Sequence, residues 1–415
     1  MATVDLAFAE LAAAEGFPDV TYWRLWDRRE WLQPGEEPRA EASDHFFDSD
    51  TGLTYRNLRG RIDEFLDADA IVFWGDFLHM AEYVEMNADI LHRHMRIFDD
   101  LDAARDYAER HLLLKGQSDE VLRRVMSYGT TLGFNTTQDY AAEYGPLLRS
   151  FLGRAHRAWG RDTYSALIAQ LERPDSDETT KGTDAALLLG DRDHRRRDDT
   201  LGVFIGRSQL DPAEVARLGR SLTERLALAP KWIEWGTEPA FWPMNNRRRL
   251  RLAWPGLEHG ARVPTLQERL ATYRGVLRGG ARAAASQVPA AELVEELSRH
   301  RLVLTDTYHL AVNAWRVGTP AICLVDPPSQ AGWDVNSGGS LAARDKRTEF
   351  YSQIDATPLL VESRRLAGSL NELVGGIAGF LGEPEHLEVV HARIARMRAG
   401  GRAQFVGAIR ELTGV

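Results

Sequence analysis

The stretch Leu302–Leu324, LVLTDTYHLAVNAWRVGTPAICL, decides the fold of this chain. Its pattern predicts a buried strand, a short polar turn, a helix that stops at Gly318, and a second buried strand. The apolar residues between the two strands recur with helical spacing, which predicts a helix packed on a sheet. Glycine followed by Thr-Pro is a typical helix exit. A strand, a helix and a strand in this order predict a parallel α/β sheet.

The polar turn between the first strand and the helix holds the candidate catalytic residues. Asp306, Thr307 and His309 follow the carboxyl end of a parallel strand, where open α/β sheets bind ligands. Backbone N–H groups and the positive end of the helix dipole favour an anion there. A histidine in the first helical turn tends to stay neutral, as a general base must. Asp306 would cap the helix, orient His309, or do both.

Length and composition limit the class of protein. The chain has 415 residues, more than one ordinary core accommodates, so we expect two domains. A net charge of −10 argues against a general nucleic-acid binder. No apolar run approaches the ~18 residues of a membrane span, and no signal peptide is recognisable. The single cysteine, Cys323, excludes a disulfide framework, so we expect a cytoplasmic protein.

Strand patterns and helix patterns alternate along the whole chain, which predicts doubly wound parallel sheets. Strands are predicted at Val20–Trp23, Ala70–Trp74, Val125–Thr130, Ala158–Gly160, Ala185–Leu189, Leu201–Ile205, Lys231–Trp235, Leu302–Leu304, Ala321–Leu324 and Leu359–Val361. Helices are predicted at Leu6–Ala14, Leu58–Leu66, His79–Arg96, Tyr140–Ala155, Asp162–Leu171, Thr265–Tyr273, Ala290–Arg299, Arg364–Leu381 and His386–Leu412, with one more that Asp211 caps and Pro212 begins.

We expect two Rossmann-like domains in series that face a cleft. The first would span residues 1–190 and the second residues 201–385. The charged segment at residues 191–200 lacks periodicity and is the predicted linker. The terminal helices at residues 386–415 would pack back on the first domain.

Further candidate binding residues share a position just after a predicted strand, where small and charged side chains would contact a phosphate or a sugar. They are Gly75 and Asp76 in the first half, and Gly206, Arg207, Ser208 and Asp326 in the second. Arg161 also follows a strand, and its planar fork suits a carboxylate or phosphate. Ser165, one helical turn later, would add a hydroxyl contact.

Metal and cofactor motifs are not recognisable. His92 and His94 are two residues apart and would lie on different faces of a helix, so we predict no zinc site. The chain has no P-loop, no G-x-G-x-x-G after a strand and no G-x-S-x-G elbow. We therefore expect no cofactor.

Several of these segments resemble the polysaccharide pyruvyl transferase family. Thr305-Asp306-Thr307-Tyr308-His309, followed by Gly318-Thr319-Pro320, resembles the family's T/S-D-S/R-F/L-H-G segment, helix and G-x-P turn. Trp159–Ser165 is similar to its V-R-D-x-x-S segment. Ala70–Asp76 and Leu201–Ser208 are similar to strands and turns of its two domains, so the resemblance spans most of Asp5–Leu381.

The resemblance implies a fold like that of two-domain GT-B glycosyltransferases. It also implies transfer of a carboxyvinyl (pyruvyl) unit from phosphoenolpyruvate to a saccharide, or to a lipid- or nucleotide-linked sugar, with formation of a ketal. His309 would be the acid/base and Arg161 the clamp for the donor's carboxylate or phosphate. Phosphoenolpyruvate would be a substrate and not a cofactor.

The chain also departs from the family pattern. The family's first strand and its G-N-x-G-D turn have no counterpart before Asp5, so we expect either a displaced start or an absent first strand. Thr307 and Leu310 stand where members often have arginine and glycine. Two other hypotheses therefore remain open. One is a GT-B glycosyltransferase with a nucleotide-sugar donor, and the other is a non-catalytic scaffold or sugar-binding protein of the same fold.

Overall fold

The chain divides into two compact units in a computed structural model. The first unit holds the described residues up to Gly190 and those from Arg398 onward, and the second holds the described residues from Arg197 to Met397. The structure describes residues 2–17, 19–26, 44–48, 51–75, 78–132, 138–173, 180–190, 197–206, 210–235, 249–250, 252–259, 290–325, 346–366 and 368–414.

Twelve strands lie within the described residues. In the first unit they are β1 (Tyr22–Arg24), β2 (His45–Asp48), β3 (Leu53–Asn57), β4 (Ile71–Trp74), β5 (Val125–Thr130) and β6 (Arg157–Gly160). In the second unit they are β7 (Asp198–Phe204), β8 (Ala229–Trp232), β9 (Glu258–His259), β10 (His300–Thr305), β11 (Ala321–Val325) and β12 (Leu360–Glu362).

Fourteen α-helices lie within the described residues. The first seven are α1 (Ala2–Glu15), α2 (Ile62–Leu66), α3 (Ala81–Asp89), α4 (Leu101–Leu112), α5 (Asp119–Leu122), α6 (Gln138–Arg154) and α7 (Thr163–Leu171). The others are α8 (Pro212–Leu226), α9 (Ala290–Arg299), α10 (Tyr308–Arg316), α11 (Lys346–Gln353), α12 (Ser363–Leu366), α13 (Leu370–Gly382) and α14 (Pro384–Thr413). None of the described helices has the length and apolar character needed to cross a membrane.

The sheet of the second unit is parallel throughout and has the strand order β12-β11-β10-β7-β8-β9. Numbered within the unit and taken from β9 to β12, this order is 3-2-1-4-5-6, the Rossmann arrangement, so the chain reverses direction across the sheet between β7 and β10. All five residues of β11 are buried, as expected for a parallel strand with both faces covered.

The first unit contains two smaller sheets. β4, β5 and β6 form a parallel sheet in that order, and a bridge from Gly160 to Lys181 extends it. The other sheet has the order β1-β3-β2, with β1 parallel and β2 antiparallel to β3. Parallel sheets with helices between their strands in both units confirm the predicted α/β class.

Most predicted elements of the described residues are confirmed within a few residues, and α8 is capped by Asp211 as predicted. The strand predicted at Ala185–Leu189 is wrong, because Ala185–Leu188 is a 3₁₀ turn. Asp184 accepts a hydrogen bond from the Ala186 N–H at 2.9 Å, which closes the turn. A short buried apolar run looks the same in a strand and in a buried turn. Strands β2 and β3 were not predicted, and the helix predicted at Thr265–Tyr273 lies outside the described residues.

Candidate functional site

The candidate site of the second unit lies where the chain reverses direction across its sheet. In the strand register, Phe204 at the end of β7 lies beside Thr305 at the end of β10, and Thr305 lies beside Cys323 in β11. The loops that follow β7 and β10 therefore start at the same edge of the sheet. This edge, between the first and fourth strands of a Rossmann order, is where such sheets bind ligands.

Asp306 joins the two loops across this edge. Its Oδ1 accepts a hydrogen bond from the Gly206 N–H at 2.9 Å and another from the Thr307 hydroxyl at 3.1 Å. The Thr307 N–H donates in turn to Thr305 Oγ1 at 3.0 Å. Asp306 and Thr307 are both buried. The predicted pair thus holds the polar turn in one conformation, and the Thr307 side chain does not cap α10.

His309 is the second residue of α10 and lies beside this turn. It is 8% exposed, so its ring is near the surface of the fold but largely covered. The Tyr308 ring lies edge-on to the imidazole with 5.2 Å between their centroids. Asn313 Nδ2 donates to the His309 carbonyl at 2.7 Å. His309 therefore stands in the first turn of a nine-residue helix, at the positive end of its dipole, as predicted.

Two cations at the start of α11 lie beside this turn and were not predicted from the sequence. Arg347 donates to the carbonyl oxygens of Asp306, at 3.0 Å, and Leu324, at 3.1 Å. Lys346 Nζ lies 5.0 Å from the centroid of the Tyr308 ring. Two positive charges in the first turn of a helix oppose its dipole. This unfavourable placement of two positive charges is the feature of the sequence that could have indicated a role other than helix stabilisation.

Arg161, the candidate of the first unit, follows β6 and is almost completely buried. Its Nη1 lies 3.5 Å from Asp184 Oδ2, and both side chains are at most 3% exposed. The Arg161 N–H donates to the Thr130 carbonyl at 3.0 Å, which fixes the loop to the end of β5. Lys181 Nζ lies 3.4 Å from the Arg161 carbonyl oxygen. A buried guanidinium at the carboxyl ends of two parallel strands is suited to bind an anion.

Ser165 occupies a structural position beside Arg161. Its hydroxyl accepts from the Leu132 N–H at 2.9 Å and donates to Asp162 Oδ2, also at 2.9 Å. Ser165 is fully buried. Its side chain thus connects the end of β5 to the N-terminus of α7, and its predicted contact with a substrate stays a prediction.

Two predicted glycines are required by close packing. Gly75 has φ of +71°, and a Cβ there would lie 2.4 Å from Val4 Cγ1 in α1. A Cβ on Gly206 would lie 2.6 Å from Cε1 of the Phe204 ring. Four other predicted residues lie outside the described part of the chain: Asp76, Arg207, Ser208 and Asp326. His309 and Arg161 belong to different units.

The described residues contain no group of three His, Cys, Asp or Glu side chains that could hold a metal ion. The available groups are instead a histidine, an arginine, hydroxyls and one carboxylate around Asp306, and an arginine, a hydroxyl and two carboxylates around Arg161. Such a set can bind an anion, position a hydroxyl and transfer a proton.

Comparisons with known proteins assign no family. No protein-family model matches the sequence, and no curated protein matches it. One solved structure that matches is a crystal structure from Listeria monocytogenes, described as a candidate UDP-N-acetylglucosamine 2-epimerase. It is 13% identical, with a TM-score of 0.37, and the match covers 80% of this chain and 95% of that chain. A TM-score this low carries no argument about fold or function.

Proposed function

We propose that the protein is a transferase acting on a saccharide, and that its second unit binds a phosphorylated donor where β7 and β10 end. The observation that carries this proposal is the arrangement around Asp306. The turn that it holds, the N-terminus of α10 and the cation Arg347 meet at one edge of a Rossmann-ordered sheet. Helix N-termini and arginines are groups that bind phosphate.

The resemblance to pyruvyl transferases implies phosphoenolpyruvate as the donor. In this scheme neutral His309 takes the proton of an acceptor hydroxyl and passes it to the vinyl methylene carbon, while the hydroxyl oxygen bonds to the adjacent carbon. A second hydroxyl of the acceptor then displaces inorganic phosphate, which carries away the proton of that hydroxyl, and a pyruvate ketal is left. The positive end of the α10 dipole and Arg347 stabilise the negative charge of the phosphate as it leaves.

Arg161 has a separate proposed role in the first unit, where it would bind a carboxylate or phosphate. Its ion pair with Asp184 is buried, so its removal would leave an unpaired carboxylate and cost about 3–5 kcal/mol of stability. Arg161→Lys keeps the charge and loses the planar fork, so it is the better test of bidentate binding.

Thermal unfolding with and without phosphoenolpyruvate tests the donor site. A ligand that binds only the native state raises the unfolding midpoint. We expect phosphoenolpyruvate to raise the midpoint of the wild type and to leave that of Arg347→Gln nearly unchanged. Arg364→Gln is the matched control in the same unit, because it removes the same charge from a side chain that is 73% exposed.

Two results would contradict the donor site. One is an unchanged wild-type midpoint at millimolar phosphoenolpyruvate. The other is an equal ligand-induced shift in Arg347→Gln and Arg364→Gln. For the acid/base role, His309→Gln should retain the shift while phosphate release in the presence of saccharides falls by about 100-fold or more.

The strand order of the second unit favours a second candidate function, glycosyl transfer from a nucleotide sugar. The order 3-2-1-4-5-6 is that of dinucleotide-binding domains, which bind at the same reversal point between the central strands. Stabilisation by a nucleoside diphosphate or a nucleotide sugar, and not by phosphoenolpyruvate, would select this function. Stabilisation by saccharides alone would favour the sugar-binding protein.

A further inference from the structure

A basic pocket of about 330 Å³ lies in the first unit, at the amino end of β6. Arg161 follows the other end of the same strand, so the proposed function does not use this pocket. Its lining residues come from α5 and the residue after it, from the end of α6 and the start of β6, and from the segment after α7. Four of them are arginines: Arg123, Arg154, Arg157 and Arg173.

Two of the arginines have a structural role at the C-terminus of α6. Arg154 Nε donates to the Ser150 carbonyl at 3.0 Å, and Arg173 Nη1 donates to the carbonyls of Ala155, at 3.1 Å, and His156, at 3.2 Å. Cations at a helix C-terminus neutralise its dipole, so these contacts alone do not indicate a ligand. They do hold both guanidiniums in fixed positions on the pocket wall.

The other two arginines are not explained by α6. Arg157 Nη2 lies 2.9 Å from Glu411 Oε2 in the last turns of α14. Arg123 is exposed, and its guanidinium makes no hydrogen bond or ion pair with any residue that the structure describes. Within the part of the chain that the structure describes, carboxylates of Asp119 and Glu411 pair with two of these guanidiniums, those of Arg154 and Arg157.

We propose that this pocket binds the phosphate group of a small molecule. Arginines bind phosphate through paired N–H groups, and guanidiniums that are already held by the fold lose little freedom on binding. Arg123 is the free arm that closes on the ligand. The volume lies at the lower end of the range for small-molecule sites, so it suits inorganic phosphate or a phosphorylated monosaccharide.

Substitution of Glu411 should change phosphate binding in the opposite direction to substitution of Arg123. Its carboxylate occupies part of the Arg157 fork, where it competes with an incoming anion. Removing the Arg123 charge must weaken phosphate binding, whereas removing the Glu411 charge must strengthen it. A change that merely damages the fold cannot produce opposite effects of this kind.

Isothermal titration calorimetry of the full chain at low ionic strength tests the site, with inorganic phosphate and a hexose monophosphate as separate probes. We expect Arg123→Gln to weaken binding by about tenfold and Glu411→Gln to tighten it severalfold. Arg93→Gln, which removes an exposed arginine that does not line the pocket, should match the wild type. Tighter binding of the hexose monophosphate would identify a metabolite as the ligand, and equal binding would identify free phosphate.

Three results would overturn the proposal: no heat from either probe at millimolar concentration, equal affinities in Arg123→Gln and Arg93→Gln, or weaker binding in Glu411→Gln. Phosphate bound in the second unit instead would be lost in Arg347→Gln and retained in Arg123→Gln. That pattern would also overturn the pocket while leaving the proposed function intact.

Discussion

Gly75, at the end of β4, combines a positive φ with a close contact to α1. Gly75→Ala places a side chain in a left-handed conformation and drives its Cβ to 2.4 Å from Val4 Cγ1. We expect a loss of about 3 kcal/mol in the free energy of unfolding, because backbone strain and overpacking add. Urea denaturation of the purified variant measures this loss.

A substitution at Gly52 distinguishes the cost of backbone strain from the cost of overpacking. It has the same φ of +71°, and an added Cβ there meets nothing within 4 Å. Gly52→Ala should therefore cost only about 1 kcal/mol, the backbone part. Equal losses in the two variants would show that the contact with α1 contributes nothing.

His300, at the start of β10, makes stability depend on pH. Its Nδ1 shares a hydrogen bond with Thr200 Oγ1 at 2.8 Å. Burial lowers its pKa to about 4, although the nearby Glu296 carboxylate raises it. The ordinary pKa of about 6.5 applies in the unfolded chain. The unfolded state therefore takes up a proton first, and this contribution is complete above about pH 6.5 and is lost as the pH falls toward 4.

We expect the contribution of His300 to the free energy of unfolding to fall by about 2 kcal/mol between pH 7 and pH 5. Urea unfolding of the wild type and His300→Gln at each pH isolates this part, since the other groups titrate in both proteins. His79 acts in the same direction in the first unit, where burial lowers its pKa to about 3. A parallel pH dependence in the two proteins would refute the contribution of His300.

At the scale of elements, the N-cap of α7 makes more hydrogen bonds than the N-cap of α4. Asp162 accepts from the Ser165 N–H at 2.7 Å and also from the Ser165 hydroxyl at 2.9 Å. Asp100, the cap of α4, accepts only from the Ala103 N–H at 2.7 Å. We expect Asp100→Ala to cost about 1 kcal/mol, and Asp162→Ala about 2 kcal/mol because it also releases a buried hydroxyl.

The difference between the two caps is measurable as a difference in urea midpoints. Asp162→Asn is the control, since its amide oxygen can still accept from the Ser165 N–H. A cost for Asp162→Ala no larger than that for Asp100→Ala would mean that the Ser165 hydroxyl does not depend on Asp162 for its orientation.

At the scale of the whole molecule, α14 belongs to both units, with its residues from Arg398 onward in the first. Phe405 is fully buried there, with its ring centroid 4.8 Å from that of Trp74 and 5.8 Å from those of Phe8 and Tyr128. Phe405→Ala should therefore destabilise the protein by about 3–5 kcal/mol.

Val389 provides the comparison for Phe405, because it lies on the same helix and is 44% exposed. Val389→Ala should change stability by no more than about 0.5 kcal/mol. Thermal unfolding of both variants tests the prediction. A similar midpoint for the two would show that the first unit is stable without this part of α14.

Local signals were sufficient to predict the class of fold and part of the candidate site. The apolar runs of β10 and β11 and the helical spacing between them predicted a parallel sheet, because buried strands and helices differ in period and length. The polar turn at Asp306 and His309 was identified for the same reason, since its position between strand and helix is a local property.

Tertiary structure alone decided which distant segments meet. The Gly206 N–H donates to Asp306, which lies one hundred residues later in the chain, because β7 and β10 pair at the centre of the sheet. Arg347 reaches the same edge only through the packing of α11, and the pairing of β2 with β3 left no signal strong enough to predict. Strand order depends on long-range burial and pairing, whereas the periodicity and end signals of an element are local, so most of the elements and not their order were predictable from the sequence.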